Sequence, residues 1–102
     1  MIYAVLLTYT RPIEEVNQHL DPHKAWLVDN VRQGRVIFAG PLESKTGGMV
    51  LACCPDREAL EAMMEQDAFV AHEVASYQAY ACAPALASAE FQAHWAPEAK
   101  FI

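Results

Sequence analysis

The chain has 102 residues, 54% apolar and 20% charged, which is the composition of one packed domain and not of a disordered chain. Thirteen acidic residues outnumber seven basic ones, giving a formal net charge of -6, and no basic run occurs. Nucleic acid and anionic membranes are therefore not expected as partners. The apolar stretches are too short to span a bilayer and no basic leader precedes the first strand, so we expect a cytoplasmic protein.

Residues 2–9 form the first predicted strand, because β-branched, aromatic and apolar side chains occupy both of its alternating faces. The strand ends at Arg11-Pro12. Asp21 and Pro22 then predict the N-cap and the first position of a helix that runs over residues 23–33. Gly34 follows in the position that favours a left-handed residue.

The helix carries His23, Leu27 and Val31 at four-residue spacing, which predicts one inward-facing stripe. The remaining predicted elements are a strand at 35–39, a glycine-ended loop, a strand at 49–54, a helix capped by Asp56, a break at Asp67, a turn at 68–71 and a strand at 74–82. This β-α-β-β-α-β order predicts an α+β, ferredoxin-like domain. Both helices should lie on one face of a four-stranded antiparallel sheet.

The other face of the predicted sheet is also apolar in its first three strands. A second copy of the chain, packed sheet against sheet, is the simplest cover for it. We therefore expect a homodimer or higher homo-oligomer of the dimeric α/β-barrel type. The domain comprises residues 1–83. Residues 84–102 form a C-terminal extension, helix-competent over 87–95, which should pack on the domain or on a partner subunit.

Cysteine and histidine usage argues against a disulfide or a metal site. Cys53, Cys54 and Cys82 are odd in number, and strand neighbours point to opposite faces, so reduced thiols are expected. The spacing His19-x-x-x-His23 would suit two metal ligands on one helix face. Pro22 argues against this, because a proline at the helix start leaves His19 outside the helix. No metal is expected, and exposed positions suit His19, His72 and His94.

His23 and Asp67 are the candidate catalytic residues, because the topology can bring the break after the second helix close to the start of the first. A carboxylate in contact with the imidazole would fix its tautomer and orientation, as a general base requires. On the residues alone a structural interpretation is equally open. Asp67 could cap the turn 68–72, and His23 could fill a polar corner of the core.

A small-molecule site beside this pair would need apolar walls and a few donors. The candidate walls suit an aromatic or enol-like ligand, although each also fits plain core: Tyr9, Trp26, Phe38 and Phe69. Ser44 and the Gly47-Gly48 amides are candidate hydrogen-bond donors from the loop between the second and third strands.

Several short motifs in the chain resemble, in order and spacing, those of the YCII-related (YciI-like) proteins over about residues 1–83. They are His23-x-x-Trp26-Leu27, Gly34, Ala39-Gly40-Pro41-Leu42, Gly47-Gly48 and Asp67-x-Phe69-Val70. The resemblance implies a ferredoxin-like dimer in which His23 and Asp67 match the paired His and Asp proposed as the family's active site. A related dehydrochlorinase that acts on a chlorinated hydroxyhydroquinone works without a cofactor. The resemblance therefore implies acid/base elimination or isomerisation with no cofactor.

The chain departs from the family pattern at Ala68, where a proline is usual and would tighten the turn that directs Asp67. It also departs at His72 and Glu73, where small residues or glycine are common.

Three functions are compatible with these features. The leading hypothesis is a cofactor-independent enzyme acting on a small molecule, with His23 as general acid/base and Asp67 orienting it. The alternative is a ligand-binding or accessory module that uses the same pocket without turnover, since fold does not imply function. A cofactor-free monooxygenase is a third possibility, but the chain has no distinctive Asn/His/Trp set that would indicate one.

Overall fold

The chain folds into a four-stranded antiparallel sheet with its helices on one face, and a computed structural model describes all residues 1–102. In chain order the elements are β1 (Ile2–Tyr9), α1 (Ile13–Asn17), α2 (Leu20–Arg32), β2 (Val36–Pro41), β3 (Gly47–Cys53), α3 (Arg57–Glu65), α4 (Ala68–Ala71), β4 (Ala75–Cys82), β5 (Leu86–Ala87), a 3-10 turn (Ala93–Trp95) and β6 (Lys100–Phe101).

The order of the strands across the main sheet is β2-β3-β1-β4, and every neighbouring pair is antiparallel. Strands β1 and β3 are therefore central, and α2 and α3–α4 each connect a central strand to an edge strand. This confirms the ferredoxin-like βαββαβ fold that the element order predicts.

The core lies between the sheet and the helices. Val5 of β1, fully buried, faces this side between Val50 and Ala79 of its neighbouring strands. From the helices, Leu60 and Met64 of α3 pack against it with no exposed surface. Burying each side chain of this size contributes about 1.5–3 kcal/mol, so this layer provides most of the apolar stabilisation.

Helix α2 begins earlier than the sequence predicts. His19 is its N-cap residue and makes no side-chain cap, so Asp21 is in the first turn and is not the N-cap. Pro22 is tolerated at the third helical position because backbone N–H groups in the first turn of a helix have no intrahelical acceptor, so its missing N–H costs no hydrogen bond. The first intrahelical bond is donated by the next residue, from His23 N to His19 O at 3.2 Å.

The inward stripe of α2 also differs from the predicted one. His23, Trp26 and Asn30 are its buried residues, whereas Val31 is 47% exposed. The spacing of three and four residues, and not of four alone, follows the 3.6-residue period of the helix and places Val31 past the edge of the buried face.

The C-terminal extension forms no helix over residues 87–95, contrary to expectation. Instead β5 and β6 pair in parallel as a separate two-stranded sheet, and the only helical segment is the 3-10 turn. The backbone N–H groups of Ala89 and Lys100 donate to Ile102 and Ala85, not to residues one helical turn away. These backbone groups are thus satisfied by pairing between the two ends of the extension, and not within a helix.

All three cysteines are free thiols, as expected. Burial raises the pKa of the Cys54 thiol. Burial also raises the pKa of the Tyr77 phenol, and the nearby Glu61 and Glu65 carboxylates raise it further by a smaller amount. Neither group is poised to ionise near neutral pH. None of the helices combines the length and apolar character needed to cross a bilayer.

We predict that Gly47→Ala strongly destabilises the fold. An added Cβ would lie 1.8 Å from the backbone oxygen of Leu7, so β1 and β3 would have to separate. Overpacking of this kind costs about 1–3 kcal/mol or more. Gly40→Ala is the matched control, since a Cβ there meets nothing within 4 Å. Urea unfolding of both variants measures the difference, and equal midpoints would contradict this packing.

Candidate active site

The turn between α3 and α4 positions Asp67. Helix α3 ends at Glu65, and Asp67 then adopts an extended conformation, with φ -70° and ψ 129°, as the N-cap of α4. Its Oδ1 accepts a hydrogen bond from the backbone N–H of Phe69 at 3.2 Å. The capping role that the sequence left open is thus present, but it is not the only contact of this carboxylate.

His23 and Asp67 meet in the interior, 44 residues apart in sequence. Nδ1 of His23 lies 2.6 Å from Oδ1 of Asp67, His23 is 9% exposed and Asp67 is fully buried. Because a carboxylate oxygen accepts, Nδ1 carries the proton in this contact. Nε2 has no partner in the chain and is not among the buried polar atoms that lack one, so it is open to solvent.

Stability alone does not account for a buried carboxylate at position 67. Oδ2 of Asp67 is buried without a hydrogen-bond partner. Leaving such a group unsatisfied costs about 1–3 kcal/mol or more, whereas an N-cap contributes only about 1 kcal/mol, which Ser or Asn provides without a buried charge. The residue therefore suits the orientation of His23 better than it suits capping.

A second contact fixes the plane of the imidazole. The ring of His23 stacks on that of Phe69 with centroids 3.8 Å apart and planes 6° apart. Tyr9 meets the edge of the same Phe69 ring at 6.0 Å. The hydrogen bond and the stack together leave the imidazole little rotational freedom, which is the preorganisation that a general base needs.

His23 lines a cavity of about 290 Å³ between α2 and the β2–β3 end of the sheet. Eight of the thirteen lining residues are hydrophobic. The full lining is Leu7, Tyr9, Leu20, His23, Lys24, Leu27, Ala39, Gly40, Pro41, Gly48, Met49, Val50 and Phe69. Its volume is just below the range usual for ligand pockets, about 300–1,000 Å³, and is enough for a one-ring molecule.

Only some of the predicted wall residues lie at this cavity. Tyr9 and Phe69 line it, whereas Trp26 does not. Trp26 is buried beside His23, with ring centroids 6.0 Å apart, and donates from Nε1 to the carbonyl of Met63. It links α2 to α3 and so supports the helix that carries His23.

Phe38 and Ser44, by contrast, lie away from the cavity, contrary to the sequence-based prediction. A β-bulge between Val36 and Phe38 turns the Phe38 side chain to the helix-free face, where it is 51% exposed. Ala39 takes the inward position instead. Ser44 is exposed in the β2–β3 loop and bonds to Thr46 Oγ1 at 2.8 Å.

Sequence reasoning missed Lys24 and Leu20, which flank His23 on α2 and line the cavity. The prediction began the helix at His23, so Leu20 was outside it. With the helix start known, Leu20, His23 and Leu27 follow helical spacing on one face, and this pattern could have identified the α2 side of the cavity.

No group of three or more His, Cys, Asp or Glu side chains is arranged to hold a metal ion. His19 and His23 do not converge, since the ring of His19 stacks on His72 at 4.1 Å while His23 binds Asp67.

Solved structures share this fold at low sequence identity. A 5-chloro-2-hydroxyhydroquinone dehydrochlorinase from Burkholderia phenoliruptrix AC1100, in complex with 2,5-dihydroxybenzoquinone, superposes with a TM-score of 0.62 at 15% identity, over 82% of this chain and 95% of its own. A muconolactone isomerase superposes with a TM-score of 0.68 at 15% identity, over 80% of this chain and 88% of its own. No curated protein matches the sequence.

The family model of the YCII-related domain matches residues 1–83. The chain therefore belongs to the YCII-related family, as the ordered motifs indicated, and the matched part contains both His23 and Asp67.

We predict that Ala68→Pro stabilises the turn that holds Asp67. Ala68 is the first residue of α4, where proline is well tolerated, and Asp67 already has the extended conformation that precedes a proline. The gain should be about 0.4–1 kcal/mol. Ala71→Pro is the control, because Ala71 N donates to Asp67 O at 2.8 Å. It should cost about 3 kcal/mol. Thermal unfolding measures both, and a destabilising Ala68→Pro would contradict the described turn.

Proposed function

We propose that the protein is a cofactor-independent enzyme that uses His23 and Asp67 for acid/base chemistry on a small aromatic or enol-like molecule. The observation that carries this proposal is the buried 2.6 Å contact between His23 Nδ1 and Asp67 Oδ1. It leaves Nε2 as the free basic atom, on a residue that lines the cavity.

In the proposed reaction, Nε2 of His23 takes a proton from the substrate. Asp67 keeps the Nδ1 proton in place and stabilises the imidazolium that forms, as the acidic member of a catalytic triad does. The electron pair left on the substrate then expels a leaving group, which is elimination, or moves along the molecule and is reprotonated elsewhere by the imidazolium, which is isomerisation. Both routes need only one group that accepts and returns a proton.

The two fold neighbours, a dehydrochlorinase and an isomerase by name, support this pair of reaction types. The ligand named with the dehydrochlorinase, 2,5-dihydroxybenzoquinone, has one ring, which is also the size of molecule that a 290 Å³ cavity accommodates. Enols, lactones and halogenated aromatic compounds with one ring are therefore the substrates to screen first.

We predict that His23→Asn lowers turnover by about 10²–10⁴-fold, since asparagine keeps a donor near the Nδ1 position but has no atom equivalent to Nε2. The loss of the Phe69 stack should cost only about 0.5–1.5 kcal/mol of stability. Asp67→Asn should also lower turnover, because the amide N–H can donate to Nδ1 of His23 and so leave the ring proton on Nε2. His72→Asn, outside the cavity, is the matched control.

Kinetics on the best substrate of the screen, with melting temperatures for each variant, decide between the hypotheses. If both site variants lose several kcal/mol of stability but the folded fraction keeps its turnover, the pair is structural. If wild-type protein binds screen compounds in this cavity and converts none of them, the binding-module alternative holds.

We further propose that the chain forms a homodimer through the helix-free face of its sheet. Three large apolar side chains are open to solvent on this face: Leu6 at 36%, Phe38 at 51% and Tyr80 at 55% exposure. Side chains of this size on one sheet face are typical of a covered surface. The extension 84–102 belongs to the same proposal, because exposed Leu86 and Ile102 leave its small sheet with apolar surface to pack on the domain or on a partner subunit.

We predict a dimer in sedimentation experiments at micromolar concentration, and Leu6→Glu should convert it to monomer by placing a charge in the middle of the interface. Val28→Glu is the control, since Val28 is similarly exposed, at 46%, but lies on α2. A stable wild-type monomer, or an equal effect of the two variants, would overturn the proposed interface.

A further inference from the structure

The charge of the cavity is opposite in sign to that of the chain as a whole. The protein has a net charge of -6, yet no Asp or Glu side chain is among the thirteen residues that line the cavity. Its ionisable lining residues are Tyr9, His23 and Lys24. Asp67, which contacts the lining residue His23, is itself fully buried and bonded to the imidazole.

Lys24 has no charged partner in the protein. The contact between His23 and Asp67 is the only ion pair that the structure contains, so no carboxylate oxygen lies within 4 Å of the Lys24 ammonium. Asp21, three residues earlier on α2, is exposed and does not pair with it. Lys24 is also exposed to solvent, so its ammonium is free to pair with an anionic ligand in the cavity that this residue lines.

From this charge distribution we infer that the cavity binds a one-ring organic anion, an enolate, phenolate or carboxylate, and that Lys24 is the residue that selects it. This inference rests on the proposed function only because both place the ligand in the same cavity. It adds the charge of the substrate and a residue outside the His23–Asp67 pair. Removal of a proton by His23 would also place negative charge on the substrate, beside the same ammonium.

The size of the cavity is compatible with such an anion. About 290 Å³ is enough for a six-membered ring with its substituents. The apolar side chains of Leu20, Leu27 and Phe69 provide contact surface for a planar ring, and Lys24 provides the charge.

The test compares ligands that differ in charge and share a ring. One pair is 2,5-dihydroxybenzoquinone, an enolate at neutral pH, and its neutral dimethyl ether. The other is 2,5-dihydroxybenzoate and its neutral carboxamide, which distinguishes a carboxylate from an enolate. Binding to ¹⁵N-labelled wild-type protein, Lys24→Met and Arg32→Met is followed by NMR titration. Arg32→Met is the matched control, because it removes one positive charge from the same helix at an exposed residue outside the cavity.

In wild type and Arg32→Met, at least one anion should bind about tenfold more tightly than its neutral partner, because hydrogen bonds to a charged group are stronger than those to a neutral one. The NMR signals of Gly40 and Gly48, which line the cavity, should shift on binding. In Lys24→Met the preference should fall below about threefold. The inference is overturned if Lys24→Met keeps the preference, if the neutral partners bind equally well, or if neither anion binds wild type at about 5 mM.

The same titration on His23→Asn separates this inference from the proposed function. That variant should keep the preference for anions while losing turnover. A preference that survives in Lys24→Met, together with lost turnover in His23→Asn, would leave the proposed reaction standing and reject the role of Lys24.

Discussion

A buried hydrogen bond, 2.6 Å between His23 Nδ1 and Asp67 Oδ1, joins the first turn of α2 to the turn that precedes α4. The two segments come together only because α2 and α3–α4 lie on the same face of the sheet and pack through Trp26, whose indole donates to the carbonyl of Met63. The bond leaves Asp67 Oδ2 buried and unpaired, which is unfavourable for stability. What the contact provides in return is an imidazole with a fixed tautomer, stacked on Phe69, whose second nitrogen is free.

The two faces of the sheet differ in what they carry. The helix-covered face contains the core and, at its β2–β3 end, the cavity in which His23 and Lys24 lie side by side on one turn of α2. The helix-free face carries exposed Leu6, Phe38 and Tyr80, none of which lines the cavity. The bulge in β2 is what separates these roles, because it directs Phe38 outward and lets Ala39 approach the cavity.

Much of this could be predicted from the sequence, and the exceptions have physical causes. Strand patterning, the Asp56 cap and the break at Asp67 were sufficient for the element order, and the ordered motifs for the family. The meeting of His23 with Asp67 follows from that topology. The bulge beside Phe38 has no sequence signature, so the sequence did not indicate that this candidate wall residue points away from the cavity. The prediction of a helix in the extension was wrong because its backbone bonds to residues distant in sequence, such as Ala89 to Ile102. Local helix propensity does not include such tertiary pairing.

The tautomer of His23 tests the central claim most directly, and it requires neither a substrate nor a variant. ¹⁵N spectra of protein labelled at histidine distinguish a protonated ring nitrogen from a bare one. The account predicts that neutral His23 carries its proton on Nδ1 and leaves Nε2 bare, because Asp67 accepts from Nδ1. A neutral His23 with its proton on Nε2 would contradict it, since the residue would then have no basic atom at the cavity.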